Sequence, residues 1–264
     1  MSFVVKNTTK CGLLDLVCPH SCRGCNALGA VLCERCKNHI IQQRSAICPY
    51  CKQIFSNNHQ YQENGCAISP YWNQDLRACQ ECTSPFLGIW TVGWREKILA
   101  KLVSELKYKS VRACSDTLAE LLDYAIPTPA KVMGELGRAP IIVPLPTIGR
   151  HIRERGLDHT KLIAKKLGKR RGWKVESILS RKADTVQVGT NAAERIGQAA
   201  KAYELKQKID PKQPYLLLDD VWTTGASIQA AANLLKQDGA QYIYAAIVEI
   251  GRPQTTSDEA NSDK

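Results

Sequence analysis

The sequence predicts an α/β fold with a mainly parallel sheet, preceded by a cysteine-rich, zinc-ribbon-like module. Three observations predict it. Tyr215-Leu216-Leu217-Leu218 is an unbroken apolar run of the kind buried on both faces of a parallel sheet. Asp219-Asp220 end that run, and a turn with Thr223, Thr224 and Gly225 leads into a helix with Ile228, Ala231 and Leu235 on one face. Gly239 is placed to stop the helix, and residues 242–248 form the next strand, so a strand–loop–helix–strand unit closes the chain. At the other end, eleven of the twelve cysteines lie between Cys11 and Cys82.

The remaining elements follow from local pattern. Residues 1–85 form the cysteine-rich module, 86–254 the α/β domain, and 255–264 a polar tail with no apolar periodicity, expected to be disordered. From Trp94 the pattern is helical, with Ile98, Leu102 and Leu106 at four-residue steps beside Leu99 and Val103. A second helix is expected over 116–124, capped by Ser115, before Pro127 and Pro129 break the chain. Ile141-Ile142-Val143 is a short strand ended by Pro144 and Pro146. A helix rich in Lys and Arg runs from 158 to 169, with Gly168 and Gly172 bracketing its end and a short strand at 173–175.

No segment reads as a signal peptide or a membrane span, which points to the cytoplasm. Thiols stay reduced there, so clustered cysteines indicate metal rather than disulfides. Four Cys-x-x-Cys pairs occur: Cys22/Cys25, Cys33/Cys36, Cys48/Cys51 and Cys79/Cys82. Each two-residue gap lets both sulfurs face one ion, and two such turns complete a tetrahedral thiolate set, so two structural zinc ions are expected. Pairing of sequence neighbours groups Cys22, Cys25, Cys33 and Cys36 on one ion and Cys48, Cys51, Cys79 and Cys82 on the other; a cross-braced arrangement is the rival. Cys11, Cys18, Cys66 and Cys114 read as buried thiols, and His20, His39 and His59 as substitute ligands at most.

The stretch 218–227 carries the chemistry. Asp219 and Asp220 stand at the end of a buried strand, where paired carboxylates can accept from neighbouring sugar hydroxyls. Thr223, Thr224, Gly225, Ala226 and Ser227 follow at a helix start, whose free backbone N–H groups and dipole suit a phosphate. Gly225 allows close backbone approach, and the hydroxyls add donors.

Asp-Asp-x-x-Thr-Thr-Gly-x-Ser after a strand resembles the phosphoribosyl-pyrophosphate motif of type I phosphoribosyltransferases. With the cysteine pairs in front, the chain resembles the ComF family, the competence-associated phosphoribosyltransferase-like proteins. Leu106-Lys107-Tyr108, Val143-Pro144-Leu145-Pro146 with Arg155-Gly156, and Gln187 with Arg195 are similar to further family segments. The resemblance implies a phosphoribosyltransferase-like sheet, ribose binding at Asp219 and Asp220, and the 5′-phosphate on 223–227. It also implies pyrophosphate near Arg150, Arg153 and Arg155, with Mg²⁺ held mostly by the substrate's own oxygens. The chain departs from the family at Leu157-Asp158-His159, Gln198, Tyr203 and Trp222. Asp158 places a negative charge in a segment otherwise suited to anions.

Lys and Arg outnumber Asp and Glu, 36 to 25, giving a net charge of +11. Nine of those cations fall between Arg150 and Arg171, where Lys161 and Lys165 share a helix face opposite Leu162, Ile163 and Leu167. The segment reads either as a solvated face or as a track for a nucleic-acid backbone, with Trp173 the stacking candidate. Two functions follow from the resemblance. One is a phosphoribosyl-pyrophosphate or nucleotide module that acts on single-stranded DNA with competence proteins during natural transformation. The other is an active transferase on an unknown acceptor, with no DNA role.

Overall fold

The computed structural model describes residues 20–42, 46–47, 54–55, 84–127, 137–182 and 202–251, with the backbone alone at 46–47 and 54–55. Cys11, Cys18, Cys48, Cys51, Cys66, Cys79 and Cys82, His59, the Gln187, Arg195 and Gln198 stretch, and the 255–264 tail lie outside those residues.

The chain is α/β, built on a four-stranded sheet in which all strands are parallel. In front of it come helix α1 (Glu34–Gln42) and a small antiparallel pair, β1 (Ala46–Ile47) with β2 (Ile54–Phe55). Strand β3 (Gly88–Trp94) opens the sheet, and helices α2 (Lys97–Tyr108) and α3 (Ala113–Ala125) follow. Then come β4 (Ile141–Pro144), α4 (Gly149–Arg155) and α5 (His159–Arg171). A two-stranded antiparallel piece, β5 (Leu179–Arg181) with β6 (Tyr203–Leu205), precedes β7 (Tyr215–Trp222), α6 (Ala226–Gln237) and β8 (Ile243–Ile250). The sheet order is β3-β8-β7-β4.

Alternation along the central strands divides the core. Leu216, Leu218, Ala246 and Val248 pack with Leu102, Leu118, Leu122, Ile163 and Leu167 of α2, α3 and α5. Leu217, Ala245 and Ile247 face the other way, onto Ile228, Ala231 and Leu235 of α6 and onto Leu179 and Tyr203 of the small antiparallel pair. Two covered faces account for the unbroken apolar run at 215–218.

Three expectations change. The helix expected from Trp94 begins at Lys97, and residues 88–94, to which the sequence pattern assigns no element, form strand β3 on the sheet edge beside β8. Its alternation is real: Ile89 packs on the α6 side, and Trp90 and Val92 on the other. Ser115 does not cap α3; it lies inside the helix, and its hydroxyl donates to the Arg112 carbonyl at 2.6 Å. Gly168 lies within α5, where a Cβ would stand 2.8 Å from the Trp173 carbonyl; Gly172, at φ 69°, makes the actual exit. Among the described residues, no helix is long and apolar enough to cross a membrane.

Candidate functional site

Strand β7 runs through Asp219 and Asp220 to Trp222, so both acids sit inside its last turn of pleat rather than after it. Consecutive strand residues point to opposite faces, and the two carboxylates are separated accordingly. Asp220 lies on the side of α2 and α5. It is 5% exposed, and its Oδ2 is 2.7 Å from Lys107 Nζ and 2.8 Å from His159 Nε2. Two nitrogens thus approach the same carboxylate oxygen within hydrogen-bond distance. Burial opposes ionisation of Asp220. The His159 contact and the Lys107 ammonium outweigh it and hold the carboxyl well below the usual carboxylate range.

Asp219 keeps part of its surface exposed and accepts the Asp220 N–H at Oδ1, 2.9 Å away. Burial, reinforced by the Asp220 charge, pushes its carboxyl up to about 8. A third acid stands beside them. Glu249 of β8 is opposite Val221 in register and 1% exposed, with Arg95 Nε 3.4 Å from Oε1. Burial pushes Glu249 up to about 7 despite the nearby cations.

The loop after β7 turns sharply. Thr223 and Thr224 are exposed, and Gly225 adopts φ +76° as the residue before α6. Thr224 Oγ1 accepts the Ala226 N–H at 3.3 Å, and the Gly225 carbonyl accepts the Gln229 N–H at 3.0 Å. A Cβ on Gly225 would lie 2.4 Å from the Trp222 indole, which is buried and edge-on to Phe86 at 6.3 Å. Trp222 therefore forms the floor of the loop and does not project into it. Ser227, half-buried, lies by the Tyr203 hydroxyl, and Arg181 of β5 stacks over the Tyr203 ring at 5.5 Å.

The other expected residues are placed as follows. Arg150 and Arg153 are exposed on α4, and Arg155 sets its guanidinium 5.1 Å from the Tyr108 ring centre. Asp158 caps α5, with Oδ1 accepting from the Lys161 N–H at 3.1 Å and the Thr147 hydroxyl at 3.2 Å. Part of the basic stretch docks α5 onto α3. Lys166 pairs with Asp116 at 2.9 Å, and Arg170 with Asp123 at 3.5 Å. Arg171 bonds the Asp123 carboxylate and the carbonyls of Asp123, Ile126 and Pro127. Trp173 is buried beneath the Arg171 guanidinium, at 5.0 Å.

In the 20–42 segment, Cys22, Cys25, Cys33 and Cys36 bring their sulfurs within 4.8 Å of one another, so this group could hold a metal ion. Tetrahedral zinc with Zn–S of about 2.3 Å needs sulfurs roughly 3.8 Å apart. Cys25 and Cys33 are at 3.6 Å, which fits. Cys22 Sγ also accepts backbone N–H groups from Gly24 and Cys33, each at 3.4 Å, as a thiolate ligand would.

Lys107 and His159 are the site residues that sequence reasoning did not single out as contacts. The signal available was indirect: a buried acid pair requires nearby counter-charge. Neither a protein-family model nor a curated protein matches the chain.

Proposed function

We propose that this chain is a ComF-type, phosphoribosyltransferase-like protein that binds phosphoribosyl pyrophosphate or a nucleotide at the 219–227 edge and acts on single-stranded DNA during natural transformation. The observation that carries the reading is the carboxyl end of β7. There a left-handed glycine turns the chain from the acids into the start of α6, and Thr223 and Thr224 are exposed at the bend. Ligands of open α/β sheets bind at this edge, and phosphate suits a helix start. Asp219 is the acid left for the sugar, since Asp220 is engaged by Lys107 and His159. With its carboxyl raised to about 8, Asp219 can donate its proton to a sugar oxygen at neutral pH. Mg²⁺ would arrive with the ligand, held mostly by phosphate oxygens. Cys22, Cys25, Cys33 and Cys36 would hold one structural zinc, and Cys48, Cys51, Cys79 and Cys82 a second.

Calorimetry with phosphoribosyl pyrophosphate and Mg²⁺ tests this. The wild type binds, and Asp219→Ala loses roughly tenfold or more in affinity. A zinc-loaded, folded wild type that takes up neither phosphoribosyl pyrophosphate nor a nucleotide refutes the reading.

A further inference from the structure

The sequence puts the nucleic-acid track on the 150–171 stretch, with Trp173 as the stacking ring. In the structure that ring is covered, and Lys166, Arg170 and Arg171 are held by acids of α3. The open aromatic surface lies elsewhere. Tyr108, the last residue of α2, is 70% exposed, although the helix turn before it buries Leu106. The Arg155 guanidinium stands over the ring. Ser110, in the left-handed region at φ 53°, donates its hydroxyl to the Arg155 carbonyl at 3.0 Å, which ties the 108–112 turn to the end of α4. A serine held in that conformation costs backbone energy, so the surroundings impose this turn.

Further cations lie on the same turn and on α4. The Lys109 side chain is 70% exposed, with Nζ 3.8 Å from Glu105, and that of Arg150 is 66% exposed; Arg112 and Arg153 are also exposed. Glu154, the acid on α4, is engaged by Arg150 at 3.5 Å and His151 at 3.2 Å. The patch adjoins the ligand edge, because Lys107, which reaches Asp220, directly precedes Tyr108.

We propose that Tyr108, backed by Arg155, is a stacking platform for an unpaired base of single-stranded nucleic acid, whose phosphates lie along Lys109, Arg112, Arg150 and Arg153. The proposal rests on the DNA reading above and moves it to a different surface. An open ring face among cations matches a single strand, which offers flat bases and charge together. A duplex hides its base faces, and an acidic peptide would not need the ring.

Anisotropy with labelled oligothymidylate and with an abasic strand of equal length tests it on the zinc-loaded protein. Tyr108→Ala should weaken oligothymidylate binding about tenfold, and Tyr108→Phe should restore it. Abasic-strand affinity and phosphoribosyl-pyrophosphate affinity should not respond to Tyr108→Ala. Replacing Arg150 and Arg153 with Gln should lower the salt slope by about 1.4. The platform is refuted if Tyr108→Ala binds oligothymidylate like the wild type, or loses both strands alike. Loss of binding in Lys165→Glu with Lys169→Glu, with Tyr108→Ala neutral, would return the strand to α5. A wild type with no affinity for either strand would overturn the DNA reading itself.

Discussion

Gly225→Ala should destabilise the fold on its own account, before any ligand is considered. The backbone there has φ +76°, which costs a residue with a Cβ roughly 1–2 kcal/mol. The new methyl would also stand 2.4 Å from two indole carbons of Trp222. That ring is 1% exposed and fixed against Phe86, so it cannot swing away, and overpacking of this kind costs about 1–3 kcal/mol. The sum is roughly 2–5 kcal/mol, a large part of the ~5–15 kcal/mol that holds a domain folded. Urea unfolding followed by far-ultraviolet circular dichroism measures it. A double-mutant cycle with Trp222→Leu separates the two causes: in that background the alanine should cost only the backbone part. Gly225→Ala within about 0.5 kcal/mol of wild type refutes the argument. An equal cost in both backgrounds would show that the indole is not what the methyl meets. The test matters for function because a side chain at 225 reads, from sequence alone, as an obstacle to phosphate. The geometry sends it inward instead, so a loss of ligand affinity in such a variant reports a displaced loop.

Further outcomes can be measured on the same protein. Arg171→Met should cost roughly 2–4 kcal/mol in urea unfolding, because it strips three carbonyls of their donor and the partly exposed Asp123 carboxylate of one of its two arginines, while Lys165→Ala should stay within about 0.5 kcal/mol. Asp219 and Glu249 hold protons in the folded state that the unfolded chain releases above its ordinary 3.8 and 4.5, so stability should fall as pH rises from there to about 8. The slope is at most about 1.4 kcal/mol per pH unit for each group, and it should flatten in Asp219→Asn with Glu249→Gln; a wild-type slope unchanged by both substitutions refutes it. Asp220 acts with the opposite sign: its contribution is complete above the ordinary carboxylate value and is lost only as pH falls below it. Cys33→Ser should remove one equivalent of zinc by elemental analysis, and amide exchange should quicken in α2 as well as in the 20–42 segment; α2 exchange unchanged by metal loss would show that the two pack independently.

What could be read from the sequence was what is local. The run at 215–218, the face of Ile228, Ala231 and Leu235, and the grouping of Cys22, Cys25, Cys33 and Cys36 appear as expected, since each is written within a short stretch of chain. Strand β3 escaped because Ile89-Trp90-Thr91-Val92 is too short to signal alternation and follows directly on the cysteine-rich segment. The capping role of Asp158 was hidden for a different reason. Its charge is visible in sequence, but a cap is recognised only once the start of α5 is known. Lys107 and His159 lie far from Asp220 in the chain, and no periodicity connects them; only the tertiary fold sets them on one carboxylate. The basic stretch shows the same limit from the other side, because charge density does not reveal which cations are already paired.

The cysteine cluster and the sheet edge are joined through α2. Cys22, Val31, Leu32 and Cys36 belong to the same apolar cluster as Leu99, Leu102 and Leu118, so the cysteine turn fills part of the core that seats α2 and α3. A Cβ on Gly24 would meet Cys36 Sγ at 2.6 Å and Ile98 at 2.8 Å, so glycine is what lets the turn sit between the sulfurs and the helix. Charge repeats the connection: Arg23 reaches Glu105 of α2 at 2.5 Å, and Lys37 reaches Glu120 of α3 at 2.8 Å. Two residues beyond Glu105, Lys107 delivers its ammonium to Asp220. A rigid helix thus carries one end of its packing from the cysteine turn and the other to the acid that ends β7. The helix that packs on the cysteine turn is therefore the same helix that delivers the counter-charge of Asp220.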